Sequence, residues 1–445
     1  MAGTPAVGDD EVGRAAIRKL TWRLVPPLTL GYLVAYIDRV NAGFAALQMN
    51  HDVGLSSTAF GLGAGLFFLS YVLFEIPSNL AQARFGGRRW IARIMVSWGL
   101  CSALMVLVTG PRSFYGVRLL LGAAEAGFFP GVVLYLTGFF PAAHRARIMA
   151  LFAIAIPVSS LIGSPLSAIL LELNGALGLH GWQWMFLGEA LPSVLLGAAL
   201  LWILPESLQA ARFLSAEERC WLADRLAADA VGRVVHRSTW QVMSNPFVLV
   251  LALALGGSAG VSQALALWQP QMIKAFGLSN MAVGLLNGIP FAIASVVMVL
   301  WGRRSDRRGE RVWHTLTPLA LSAVALAVAG FVHGLVPFIL VLCVILVGTY
   351  AMKGPFWGLA AEWLAGPAAV VGLAQVNSAG NVATFLTSTA IGVIRDATGS
   401  FQLALVPLML VAALGCLALA LTARRDRGRR PHPLPDDGLS RGGVS

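Results

Sequence analysis

Long apolar runs, separated by short clusters of charged and turn-forming residues, dominate the chain. A helix needs roughly 20 mostly apolar residues to cross a hydrocarbon core about 30 Å thick, because lipid offers no partners for free backbone groups. Runs of that kind predict spans at 24–47, 58–80, 91–109, 114–139, 147–171 and 182–204, and again at 246–276, 281–301, 313–333, 335–361, 370–394 and 401–422. The pattern therefore predicts an all-α membrane protein with twelve transmembrane helices in two six-helix halves, 24–204 and 246–422. A hydrophilic linker at 205–245 joins them, and polar tails at 1–23 and 423–445 flank them. Within the linker, Ser215 followed by Glu218 reads as the capped start of a surface helix.

Composition agrees with lipid as the main solvent: 57% of the 445 residues are hydrophobic and only 12% are charged. Such a chain cannot cover a globular surface with polar groups. The net charge of +11 would point to nucleic acid in a soluble protein, but its distribution gives another reading. Among the 32 Lys and Arg residues, Arg112, Lys274 and Arg395 alone fall in the loops of one side, and Arg39, Arg118 and Lys353 fall inside spans. All the others lie in the tails, the linker and the loops of the other side, or, as Arg93 and Arg147, in the first turn of a span that starts there. This asymmetry predicts that side, with both termini, to be cytoplasmic in a multi-pass protein of the cell membrane, with no nucleic-acid partner. The four cysteines are scattered without a CxxC spacing, and no two histidines stand four apart, so neither a disulfide framework nor a metal site is expected.

One loop motif recurs. Gly302, Asp306, Arg307, Gly309 and Arg311 form GxxxDRxGxR after the eighth span, and Arg84, Gly86 and Arg88 occupy matching places after the second, offset by 223 residues. The first copy carries Ala83 where the second has Asp306. Glycines permit a tight turn there, and the charges can hold neighbouring helices in one arrangement.

Twelve helices in two halves with this motif in both resemble the major facilitator superfamily, which implies its pseudo-symmetric fold. More specific strings narrow the resemblance: Tyr36, Asp38, Arg39 and Asn41 in the first helix; Glu75, Pro77 and Asn79 in the second; Arg118, Gly122, Glu125, Pro130 and Gly131 in the fourth. Trp182 and Trp184, Pro205 to Ser207, Phe356 and Trp357, Gln375 to Asn381 and Arg395 to Gly399 continue it. Together they are similar to the anion:cation symporter family, and most of all to permeases for tartrate, phthalate and related carboxylates. The resemblance implies substrate and proton handling at the matching charged positions.

Ionisable groups inside a bilayer are costly, by roughly 2.5 to 3.5 kcal/mol each, so each is a functional candidate. Arg118, Gly122 and Glu125 fall on one helical face. An organic carboxylate needs a planar, permanently charged fork, which makes Arg39 the first candidate for substrate binding. Tyr32, Tyr36 and Tyr71 in the first half, and Gln263, Trp357, Asn377 and Asn381 in the second, are the other candidate ligands. A proton carrier needs a carboxyl that responds to burial and to a nearby arginine, as Glu125 and Asp38 can beside Arg118. Competition of substrate and acid for one arginine would couple the two. Glu75, beside Pro77, reads as a structural or gating residue, and Lys353, near a helix end, as a lysine able to snorkel to water.

The expected function is proton-coupled uptake of a small organic carboxylate by alternating access, with the proton as coupling ion and no cofactor, by a chain that works as a monomer. A proton-driven exporter is the rival transport reading, carried by Gly163, Ser164 and Pro165 in the fifth span. A membrane enzyme or sensor would need a convergent nucleophile and base that the sequence does not display.

Overall fold

A computed structural model describes residues 7–153, 155–230, 245–363 and 368–427. Every regular element among them is helical. The first half comprises α1 (Val7–Asp52), α2 (Ser57–Phe85), α3 (Gly87–Ala103), α4 (Pro111–Glu125), α5 (Phe128–Thr137), α6 (Ala142–Ala153), α7 (Ala155–Leu171) and α8 (Gly181–Ile203). After the surface helix α9 (Ala216–Ala230) come α10 (Pro246–Lys274), α11 (Asn280–Arg308), α12 (Val312–Ala329), α13 (Leu335–Ala351), α14 (Lys353–Trp363), α15 (Ala368–Thr398), α16 (Phe401–Ala404) and α17 (Val406–Arg427). The rest of the predicted linker, 231–244, and most of the predicted C-terminal tail lie outside the described residues.

Nine segments among the described residues are long and apolar enough to cross a bilayer. The three other predicted spans lie in α1, in α6 with α7, and in α15. Polar residues run through them: Asp38 and Arg39, four serines between Ser159 and Ser167, and Thr384, Thr387 and Ser388. Asp38, the serines and these α15 hydroxyls are all buried, so the polar faces of these helices turn into the protein and away from lipid.

Among the interrupted spans, the fourth and the tenth break at charged residues. The fourth breaks at Ala126 and Gly127, between α4 and α5, and Gly127 takes a left-handed φ of 85° that a side chain would strain. The tenth is interrupted more mildly at Met352, between α13 and α14. Each break carries a charge: Glu125 is the last residue before the first, and Lys353 the first residue after the second.

Where the halves meet, α2 lies along α15, α7 along α11, and α1 along α10. The closest approaches are on the face opposite the chain termini. A Cβ on Gly392 of α15 would stand 2.3 Å from the carbonyl oxygen of Ser57, so only glycine allows this crossing. Between α7 and α11, Asn287 donates to Ser164 Oγ at 2.9 Å, which places the serine of the Gly-Ser-Pro segment at the seam between halves.

On the terminal face α1 continues outside the predicted span as far as Val7 and packs on α9, with Lys19 Nζ 2.8 Å from a Glu218 oxygen. Ser215 and Glu218 cap α9 reciprocally: the Glu218 amide donates to Ser215 Oγ at 3.1 Å, and the Ser215 amide to Glu218 Oε2 at 2.8 Å.

Candidate substrate and proton site

Two-thirds of the way along α1 the guanidinium of Arg39 places Nε and Nη2 each 2.6 Å from Oε1 of Glu125. The pair is almost closed off: the arginine side chain is 10% exposed and the glutamate side chain 1%. Arg39 also lies over three rings, with its Cζ 5.1 Å from the centroid of Tyr36, 5.7 Å from Phe67 and 5.0 Å from Tyr71. These aromatic faces stabilise the cation where water is absent. Because α4 ends at Glu125, the acid sits at an interruption of its span, where backbone regularity is already lost.

Arg118 lies about two turns earlier on α4 and is 1% exposed. Its Nη2 donates to the Ala64 carbonyl at 3.3 Å, and its Cζ stands 4.8 Å from the Phe67 ring. Nε and Nη1 have no hydrogen-bond partner among the described residues. The arginine thus holds spare donors beside the acid that Arg39 engages. Between them Gly122 serves helix packing, since a Cβ there would meet the Phe67 carbonyl of α2 at 2.2 Å.

Asp38, next to Arg39 in sequence, faces away from the pair. Its carboxylate accepts from Trp98 Nε1 at 2.7 Å, Ser102 Oγ at 3.0 Å, Ser193 Oγ at 3.1 Å and Asn41 Nδ2 at 3.2 Å. Donors from α1, α3 and α8 converge on it, so Asp38 anchors three helices inside the first half.

The predicted ligand residues separate into groups. Tyr36 and Tyr71 belong to the Arg39 cluster. Tyr32 is drawn into an aromatic stack, 4.5 Å from Phe152 and 5.1 Å from Tyr36 between centroids. Asn377 crosses the seam to donate to Glu75 Oε1 at 3.2 Å, which gives Glu75 a partner in the other half. Gln263 and Asn381 are half-buried, and Trp357, 39% exposed, packs on Phe356. Lys353 rests on the ring of Tyr350, its Nζ 4.0 Å from the centroid.

The loop motifs are both folded as charge clusters. In the second copy Gly309 ends α11 with φ 61°, and Arg311 contacts Asp306, Ser305 and, at 3.6 Å, Glu362 of α14. Gly302 and Arg307 lie in the last two turns of α11, Arg307 exposed. In the first copy Gly86 has φ 87°, Arg84 lies over Phe85, and Arg88 Nε donates to Glu206 Oε2 at 2.8 Å. The acid missing at position 83 is therefore supplied by Glu206, beyond the sixth span.

Sequence reading passed over one buried acid. Glu189, in the middle of α8 and 2% exposed, accepts from Ser167 Oγ at 2.7 Å. The signal was available, since it is the lone carboxylate of the predicted span 182–204.

A helical chain in two halves, with a buried ion pair at a broken helix and polar helix faces turned inward, defines a secondary transporter. Residues 28–388 match the Major Facilitator Superfamily, and the chain belongs to it. It is 46% identical over 418 residues, covering 93% of this chain and 96% of the other, to a protein of Agrobacterium vitis described as a putative tartrate transporter. It is 42% identical over 429 residues, again 93% and 96% of the two chains, to the Pseudomonas putida protein NicT, described as a putative metabolite transport protein. In fold it is similar to the crystal structure of a bacterial homologue of the human lysosomal transporter Spinster, with a TM-score of 0.73 at 17% identity over 92% of this chain and 98% of that one.

Proposed function

We propose that this transporter is a proton-coupled symporter of the anion:cation type, taking up a small organic carboxylate such as tartrate, phthalate or a related acid. The observation that carries the reading is the buried Arg39–Glu125 pair ringed by Tyr36, Phe67 and Tyr71. Nε and Nη2 of Arg39 now converge on one oxygen of Glu125, and a substrate carboxylate can offer the same fork both of its oxygens. When substrate takes the arginine, Glu125 loses its counter-ion in a dry site, and a proton becomes the least costly replacement. Arg118, with two donor nitrogens unengaged, stands ready to receive whichever carboxylate Arg39 releases. Relatives described as transporters of tartrate and of a metabolite support a small organic acid as cargo.

The terminal face is the cytoplasmic one in this reading, because the basic residues gather there. Close contacts at Gly392 and Asn287 join the halves on the other side, and the Asn377–Glu75 hydrogen bond joins them on the cytoplasmic side of the site. Rocking of the halves would part the first contacts and expose Arg39 to the outside. One chain contains every part of this cycle.

The test is uptake of labelled carboxylates into proteoliposomes with and without an inward proton gradient. Gradient-driven accumulation of one acid is expected in the wild type. Arg39→Lys, which keeps the charge but loses the fork, should abolish it. Glu125→Gln should retain substrate exchange and lose uphill uptake. Accumulation driven only by an outward gradient, of a neutral or cationic compound, would replace symport with export.

A further inference from the structure

One face of α1 runs from water into lipid on the side of the chain termini. Arg18, Lys19, Trp22, Arg23, Pro26 and Leu30 are all exposed, and at about 100° per residue they fall within an arc about 140° wide. The cations and the indole lie before the predicted span at 24–47, and apolar Pro26 and Leu30 lie within it. Trp22 is 75% exposed. A tryptophan in that position suits the border between headgroups and acyl chains, where its ring meets lipid and its N–H meets water.

The stripe has a wall. Phe213, in the stretch just ahead of α9, lies under Arg23, whose Cζ is 5.9 Å from the ring centroid. With Arg18, Lys19, Trp22 and Arg23 it lines a groove of about 660 Å³. Neither Arg18 nor Arg23 has an ion pair among the described residues. Lys19 has Glu218, 2.8 Å away, but its side chain is 43% exposed and the ammonium has three donors, more than that one carboxylate can take. Lys19 and Arg23 stand one helical turn apart and repel each other, so the groove favours an anion between them. Setting the topology needs positive charge on this face, but not a groove with an aromatic wall.

We propose that this groove binds an anionic phospholipid of the leaflet on the terminal face, with the phosphate among Arg18, Lys19 and Arg23 and an acyl chain beside Trp22, Pro26 and Leu30. Basic residues at a membrane surface attract acidic headgroups, and the tryptophan and phenylalanine confine that attraction to one position. A lipid held there ties α1, the helix that carries Arg39, to the start of the linker helix α9. The reading of that face as cytoplasmic names the leaflet, and nothing in the site depends on carboxylate transport.

The test uses the full chain in mixed micelles of detergent and phosphatidylcholine, titrated with phosphatidylglycerol brominated on its acyl chains, which quenches tryptophan on contact. Saturable quenching is expected in the wild type. Trp22→Phe should lose that component, while phosphatidylglycerol still raises its thermal transition. Arg18→Gln combined with Arg23→Gln should weaken the binding about thirtyfold, equivalent to roughly 2 kcal/mol for two basic residues at a membrane surface. Arg225→Gln, which removes an exposed arginine of α9 outside the groove, should change it by less than about twofold. Equal quenching of Trp22 by brominated phosphatidylcholine, or a loss in Arg225→Gln as large as in the double variant, would overturn the site in favour of unselective lipid contact or the general field of this face. Displacement of the brominated lipid by equimolar glycerol 3-phosphate would overturn the lipid in favour of a soluble anion.

Discussion

The carboxylate of Asp396, in the last turn of α15, accepts the backbone amide of Thr58 at 2.7 Å and that of Ser57 at 3.0 Å. An acid of the second half thus caps the first turn of α2 in the first half, where free amides and the helix dipole both favour an anion. This contact can exist only while the face opposite the termini is closed. Asp396→Ala removes it without touching the buried site. A capping contact is worth about 1 kcal/mol, so the closed population should fall roughly fivefold relative to the open one. Distances between spin labels placed on that face should lengthen on average; an unchanged distribution would show that the cap is incidental to closure.

Glu206 standing in for an acid at position 83 predicts a rescue. Glu206→Ala frees Arg88 and Arg89, which lie 2.8 and 3.8 Å from its Oε2. These groups are partly exposed, so the thermal transition should move little, by the equivalent of at most about 1 kcal/mol. Transport should be affected more, because the cluster fixes α2 and α3 against the end of α8. Adding Ala83→Asp should restore the rate in Glu206→Ala while doing little in the wild type. Failure of the second change to rescue would mean that Glu206 has a role other than completing the motif.

The limits of the sequence follow from what periodicity can carry. Apolar runs disclose the spans, because lipid dictates them in one dimension, and the repeated loop motif and short strings disclose the family. Arg39 and Glu125 were legible as expensive charges, but not that they join, since 86 residues separate them. Asp38 was legible as a charge too, but not its orientation: one helical position, about 100° of turn, takes it from the Arg39 cluster to the indole of Trp98. Glu206 could not be recognised as the motif's missing acid because it comes from a loop four spans later. Glu189 was passed over because no motif drew attention to it, although its burial cost is the same as that of Glu125.

The docking of the N-terminal part of α1 onto α9 should depend on pH. Burial pushes the Glu218 carboxyl up, but hydrogen bonds from Lys19 and from the Ser215 amide outweigh it and hold the group below the ordinary glutamate value. A lowered value means that the stabilisation is present above the ordinary pKa of about 4.3 and is lost as pH falls through the folded-state value. Hydrogen exchange in residues 7–20 should therefore be slow at neutral pH and rise in acid. Glu218→Gln should show the faster exchange at neutral pH, with no further acid step. Equal protection in both proteins would assign the docking to apolar contacts such as Trp221 over Gly13.

Lys353 bears on which carboxylates are carried. It begins α14 at the interruption of the tenth span, as Glu125 ends α4 at the interruption of the fourth, and it has no ion pair among the described residues. The ring beneath it, Tyr350, is an electrostatic neighbour of Tyr36, over which Arg39 lies. Two cations, one from each half, thus flank a pair of tyrosines, an arrangement suited to an anion with a charge at each end. Lys353→Met should raise KM for a dicarboxylate such as tartrate roughly tenfold, from the ~1.5 kcal/mol typical of a hydrogen bond to a charged group. For a monocarboxylate held by Arg39 alone, KM should stay within about twofold, a difference under ~0.5 kcal/mol. Competition of both acids against one labelled substrate measures the two values in a single preparation. A parallel loss for both would make Lys353 a general attractor of anions, and no loss for either would return it to the role of a lysine resting on an aromatic ring.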